Sequence, residues 1–225
     1  MINFSLCFAQ STSEHLKIGN EFMHKRDYKT AIQHYEKALV EDPTNLRAHI
    51  KLGLSKYLMK DYQGAIDSYS KAIEIAPENA KLYNDRGKCK SRVKKYAEAI
   101  KDFEKAIALK PEYFSAFVNM ARSKFALKDY RGALYAYDQA ILLKNDKATV
   151  YNSRGKCRLK LKDFTAALAD FDKSIAIDPN NARAFYNRAI AKYNLQDNEG
   201  ACSDWVKAFD LGDSRSENMR KEYCY

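Results

Sequence analysis

The sequence is expected to fold as an all-α chain, a solenoid of six helix–turn–helix repeats followed by a C-terminal capping helix. Three registers carry that expectation. Alanine recurs every 34 residues, at Ala31, Ala65, Ala99, Ala133, Ala167 and Ala201. An aromatic residue stands four positions after each: Tyr35, Tyr69, Phe103, Tyr137, Phe171 and Trp205. Seven positions after each alanine is a second small residue, at Ala38, Ala72, Ala106, Ala140, Ser174 and Ala208. Registers that stay in step over six periods mark a repeat architecture, in which each unit is one supersecondary element.

The spacing assigns each element. Offsets of four and seven lie on one helical face, so every alanine–aromatic–small set is one packing stripe. A helix before each stripe carries a small residue at Gly19, Gly53, Gly87, Ala121, Gly155 or Ala189, where two backbones must come close. Turns such as Lys60-Asp61-Tyr62 and Lys128-Asp129-Tyr130 then open the second helix with aspartate at the N-cap. Lysine at the close of the first helix suits the negative end of its dipole. Pro43, Pro77, Pro111 and Pro179 stand twelve positions after the alanine and stop the second helix, with Asn145 and Asp213 in that slot in the other two repeats. The expected division is an N-terminal segment 1–11, repeats at 12–45, 46–79, 80–113, 114–147, 148–181 and 182–213, and a capping helix 214–225.

Composition fits a folded helical chain: 225 residues, nearly half of them apolar, with only 4 prolines and 8 glycines. No uncharged apolar run approaches the roughly 18 residues that a membrane span needs. The formal charge of +10 favours acidic partners in encounter. No G-x-S-x-G, phosphate-binding loop or H-E-x-x-H pattern is present, and no cofactor or metal site is expected. The histidines His15, His24, His34 and His49 all fall in the first 50 residues, and His15 and His49 share a packing slot. The carboxylates read as exposed helical positions.

The pattern resembles the tetratricopeptide repeat family: a 34-residue period with a small residue at slot 8, alanine at 20, an aromatic at 24, alanine at 27 and proline at 32. The resemblance covers about residues 12–213 and implies a right-handed superhelix that binds another protein or a peptide and performs no chemistry. Slot 11, usually aromatic in the family, departs from it, holding Lys56, Lys90, Lys124, Arg158 and Lys192 after a single Phe22. Slot 15, often glycine, is basic in the first five repeats. Both changes are expected to be harmless, with side-chain stems lying over apolar surface and the charges in water.

The family places ligands on the first helix of each repeat, at slots 2, 5, 6, 9, 12 and 13. Mapped on this chain, those slots hold Lys17, Lys51, Lys81, Lys88 and Arg92 in the first three repeats, and Arg122, Lys156, Lys160 and Arg183 in the last three, along with Arg47. Asp85 is the single acid among them. Asn20, Asn84, Asn119, Asn152 and Asn187 are expected to bond an extended peptide backbone. Leu54, Tyr57, Phe125, Tyr186 and Tyr193 are expected to anchor it. The expected ligand is an acidic or carboxylate-bearing peptide, and the protein is expected to be monomeric. The carboxylate clamp of the chaperone-binding members is not reproduced: its slots hold Leu16, Asn20, Lys51, Lys81 and Asp85 here, and Asp85 would repel the ligand. A basic helical groove holding single-stranded nucleic acid is the alternative reading. It is disfavoured because the repeats that read RNA follow another consensus.

Cysteines add a compartment argument. Cys89 and Cys157 share slot 10 and read as small core residues. Cys202 interrupts a column of Ile32, Ile66, Ile100, Leu134 and Leu168 that should face the next repeat. For the sixth repeat that neighbour is the capping helix, which carries Cys224, so the two are expected to form a disulfide if the protein is exported. The stretch from Ala201 to Cys224 also resembles the ends of exported bacterial members of the family. The apolar start Phe4-Ser5-Leu6-Cys7-Phe8-Ala9-Gln10 reads as the tail of an export signal, although it lacks a basic n-region. A periplasmic or otherwise exported location is expected, with a cytoplasmic one as the alternative.

Overall fold

A computed structural model describes residues 2–224 of the chain, with side chains from Ser11 onward. Residues 1–10, where the export-signal reading falls, lie outside the described side chains. Among the described residues there are thirteen α-helices and no strand. The chain divides into two compact units, Met1–Ala116 and Phe117–Tyr225.

The first unit contains three helix pairs: α1 (Ile2–His24) with α2 (Tyr28–Glu41), α3 (Leu46–Leu58) with α4 (Tyr62–Ile75), and α5 (Ala80–Arg92) with α6 (Tyr96–Leu109). Helix α7 (Phe114–Ala126) runs from the end of this unit into the second. The second unit continues with α8 (Tyr130–Leu143), α9 (Ala148–Lys160), α10 (Phe164–Ile177), α11 (Ala182–Asn194), α12 (Asn198–Asp210) and α13 (Arg215–Tyr223). In the first unit α1 to α6 each pack on the next, in the second α8 to α13 do the same, and α9 also touches α11.

Local chemistry sets the helix ends. Asp27, Asp61, Asp129, Asp163 and Asp197 each accept a hydrogen bond from the backbone N–H three residues on, at Thr30, Gly64, Gly132, Ala166 and Gly200. Lys95 takes that place in the third repeat and gives no side-chain cap. Each proline follows the last residue of its helix by two positions. Slot 15 is where the first helix closes. Arg26, Lys60, Lys94, Lys128, Lys162 and Gln196 all have φ between 61° and 66°, in the left-handed region. In the second repeat the Lys60 N–H donates to the Tyr57 carbonyl and the Asp61 N–H to the Lys56 carbonyl, the two bonds of a Schellman close. Non-glycine residues here carry a steric cost of about 1–2 kcal/mol each.

The small-residue slots pack as expected. A Cβ at Gly19, Gly87 or Gly155 would stand 2.6–2.7 Å from the ring of Tyr35, Phe103 or Phe171. At the far end, Ala189, Ala201 and Trp205 form a core cluster against which Met219 and Cys224 of the capping segment pack. Cys202 and Cys224 are disulfide-bonded, with Cα atoms 5.7 Å apart. Cys89 and Cys157 are fully buried, and burial pushes both thiols up to about 12.

Two expectations about charge need correction. Asp102, Asp170 and Asp204 are buried rather than exposed. Each is gripped by an arginine from slot 7 of its own repeat: Arg86 to Asp102 at 2.7 and 2.9 Å, Arg154 to Asp170 and Arg188 to Asp204. The slot-11 cations Lys90, Arg158 and Lys192 approach the same three carboxylates, each at 2.9 Å. Their charges are therefore paired and largely out of water. Slot 7 also reaches back one repeat, from Arg86 to Ser70, from Arg154 to Asp138 and from Arg188 to Asp172. Repeats with an apolar slot 7 (Ile18, Leu52 and Met120) have His34, Ser68 and Ala136 where the others have aspartate. Arginine at slot 7 and aspartate at slot 23 come as a matched set because a buried ion needs its partner.

Candidate functional site

The expected ligand-binding residues lie on the first helix of each pair and are considered unit by unit. In the first unit Lys17, Lys81 and Arg92 are exposed, and Lys51 and Tyr57 are partly buried. Lys88 lies over the Tyr57 ring at 5.1 Å and pairs with Asp85 at 3.3 Å. A hydrogen bond with the Tyr57 hydroxyl raises the Arg92 guanidinium further. Tyr57 also makes an edge contact with Tyr62, 5.6 Å between centroids. Asn20 accepts the Tyr35 hydroxyl at 3.0 Å, and Asn84 is buried beside Asp85 and Tyr113. Each of these amides thus spends part of its hydrogen-bonding capacity inside the scaffold.

The second unit holds a cavity of about 820 Å³. Arg122 and Phe125 come from α7, Asn152, Ser153 and Lys156 from α9, and Arg183 and Asn187 from α11. The turn Gly212–Arg215 forms a further wall. Asn187 donates to Asn152 at 2.9 Å in the floor, so part of this amide pair is committed internally. Lys156 lies over the Phe125 ring at 5.3 Å, and Phe125 meets Tyr130 at 5.2 Å. Loss of hydration, followed by the Arg215, Arg183 and Lys160 charges, holds the Lys156 amine below the ordinary lysine value. Arg215 stacks on Tyr186 at 4.1 Å and is bonded through its fork to Asp213, whose carboxyl is thereby held low.

Two expected residues fall elsewhere. Lys160 lines a neighbouring cavity of about 480 Å³ with Leu159, Phe164 and Ile190. Tyr193 packs against Trp205 and Tyr223, 6.0 and 4.9 Å between centroids, and stays partly exposed. Asn119 stands on α7 and is partly buried. Sequence reasoning missed Ser153, Tyr137, Asp213 and Arg215 as lining residues. Arg215 was out of reach because it belongs to the capping segment and not to any first-helix slot.

The tetratricopeptide repeat family model matches residues 46–79, 80–113 and 148–181, and a TPR repeat model matches residues 19–60. Together these cover more than half of the chain. The chain is a tetratricopeptide repeat protein. Such proteins are in general interaction scaffolds that bind proteins or peptides, and the family is generally non-catalytic. No curated protein matches the sequence significantly. Among solved structures, Pseudomonas aeruginosa PilF superposes with a TM-score of 0.77 at 20% identity, covering 96% of this chain and 99% of its own. A tetratricopeptide repeat protein from Parabacteroides merdae gives a TM-score of 0.79 at 18% identity, with coverage of 91% and 81%. YrrB, described as a tetratricopeptide protein with an unusual peptide-binding site, gives 0.71 at 24% identity, with coverage of 84% and 97%. At these identities the likeness speaks to the fold.

The tetratricopeptide scaffold here carries its other polar clusters as internal structure. His15 and His34 share a hydrogen bond between their Nδ1 atoms at 3.2 Å, and His49 bonds the Pro43 carbonyl at 2.8 Å. Among the described residues no group of three or more His, Cys, Asp or Glu side chains is placed to hold a metal ion. No helix among them is long and apolar enough to cross a membrane.

Proposed function

We propose that this protein is a monomeric, non-catalytic scaffold that holds an acidic or carboxylate-bearing peptide segment against the first-helix face of its repeats. One observation carries the reading. Arg122, Lys156 and Arg183 share a cavity with Phe125, and among the described residues none of the three forms an ion pair with a carboxylate. Cations gathered without a carboxylate in salt-bridge contact raise the local positive potential and favour an incoming anion. The ring of Phe125 supplies an apolar contact of the kind that dominates interface energies. Export is part of the same proposal, supported by the Cys202–Cys224 disulfide, a bond that persists in oxidising compartments.

Titration calorimetry of the full chain with an acidic peptide and with its lysine counterpart tests the reading. Preference for the acidic peptide, weakened by salt and by Arg122→Glu, is expected. Equal binding of both peptides would refute it.

A further inference from the structure

The two units repeat one constellation 68 residues apart. Lys88 over Tyr57 corresponds to Lys156 over Phe125, at 5.1 and 5.3 Å. Behind them Tyr69 corresponds to Tyr137, and Cys89 to Cys157. Against that agreement, two slots differ in charge. Slot 6 is Asp85 in the third repeat and Ser153 in the fifth; slot 9 is Leu54 in the second repeat and Arg122 in the fourth. Asp85 answers Lys88 at 3.3 Å, so the first constellation is neutralised from within. Ser153 carries no charge and spends its hydroxyl proton on the Thr149 carbonyl at 2.8 Å. Lys156 therefore lacks the carboxylate that its counterpart has, and Arg122 and Arg183 add two more cations to the same cavity. Asp213 in the same cavity pairs with Arg215 and is also held low by the Arg183 charge, so one carboxylate stands against the four cations Arg122, Lys156, Arg183 and Arg215.

We propose that the cavity lined by Arg122, Ser153, Lys156 and Arg183 is the site where this protein takes a doubly negative group of its peptide partner, and that Ser153 keeps the site open. The partner's charge occupies the place that Asp85 fills in the first unit. That positive excess calls for more than one negative charge. A phosphoryl group or two adjacent carboxylates supplies it, and arginine forks suit either. The assignment rests on the acidic-peptide reading and adds to it a location and a charge.

The test uses the full chain in titration calorimetry with four probes: a tetra-aspartate peptide, a phosphoserine tetrapeptide, its unphosphorylated form and inorganic phosphate. A doubly charged peptide is expected to bind at one site per chain. Phosphoserine alone binding points to the phosphoryl source, and tetra-aspartate alone to paired carboxylates. Ser153→Asp and Arg122→Leu install residues that the equivalent slots already carry, so helicity should hold. Each is expected to weaken binding about ten-fold or more. Wild-type affinity in both Ser153→Asp and Arg122→Leu, with unchanged circular dichroism, overturns the assignment. If Lys88→Glu abolishes binding and Ser153→Asp does not, the acidic-peptide reading stands and this site falls. If no acidic probe binds the wild type, both fall. Equal binding of the unphosphorylated peptide, or of inorganic phosphate alone, also overturns the proposal.

Discussion

Arg154 holds Asp170 through two parallel hydrogen bonds, Nε to Oδ2 at 3.0 Å and Nη2 to Oδ1 at 2.5 Å, at a site where the carboxylate is buried. Removing one member of such a pair leaves the other charged and out of water. Asp170→Asn is expected to cost about 3 kcal/mol or more, seen as a lowered midpoint in urea unfolding. The double change Arg154→Met with Asp170→Ala puts in the Met120 and Ala136 of the fourth repeat and should recover part of the loss, the remainder being the Arg158 charge that also loses Asp170. Full additivity of the two single changes would contradict the pairing.

Gly155 lies under Phe171, and a Cβ there would stand 2.6 Å from Cε1 of the ring. Gly155→Ala should destabilise the second unit by about 1–3 kcal/mol through overpacking. Thermal unfolding followed by circular dichroism reads this directly.

Lys128, at φ 64°, gains nothing from its Cβ in the left-handed region. Lys128→Gly is expected to stabilise the protein by about 0.5–1 kcal/mol, the steric relief exceeding the added backbone entropy. A fall in the unfolding midpoint would show that the lysine side chain matters more than the backbone.

Much of this fold was legible because its signals are periodic. The alanine–aromatic stripe, the aspartate caps and the proline exits each depend on residue type at a fixed spacing, and the structure places them accordingly. The arginine–aspartate pairs were not read, although Arg86, Arg154 and Arg188 stand in one slot and Asp102, Asp170 and Asp204 in another. A charged residue on a helix looks solvated until the neighbouring helix is known. Asn20 shows the same limit: that its amide oxygen accepts the Tyr35 hydroxyl depends on which groups the next helix presents, and spacing does not encode that. In the Gly212–Arg215 turn, Asp213 stands in the proline slot and Arg215 lies beyond the sixth repeat, so no ligand-binding slot pointed to them.

His34 sits against Phe22 and His15, and burial first, then the His15 and Lys37 charges, hold its imidazole below 6.5. A histidine whose folded value is depressed adds nothing above its unfolded value and destabilises as it is forced to take a proton. Stability of the first repeat should therefore fall as pH drops below about 6.5 and through the lower folded value. His34→Gln should flatten this slope in hydrogen-exchange measurements on α1 and α2. An unchanged slope would place the acid sensitivity elsewhere.

Reduction of Cys202–Cys224 should free α13 and lower stability by about 3 kcal/mol, given a sequence separation of 22 residues. Intact mass under non-reducing conditions checks the bond, and hydrogen exchange in residues 215–223 checks its effect. Exchange there that is independent of reductant would show that Met219 and Tyr223 hold the helix without it.

The backward reach of slot 7 bears on how such a chain can be edited. Arg188 binds Asp172 of the fifth repeat, and the fourth repeat offers Asp138 in that same slot. Excising residues 148–181 as one block would bring Arg188 to a chemically identical acceptor. A shortened protein with one fewer period should still fold, while it loses Ser153 and Lys156. Excising any other length would set arginine against the wrong slot. Whole repeats are thus the units in which this chain can gain or lose length, and the ion pairs, as much as the apolar stripe, fix that unit at 34 residues.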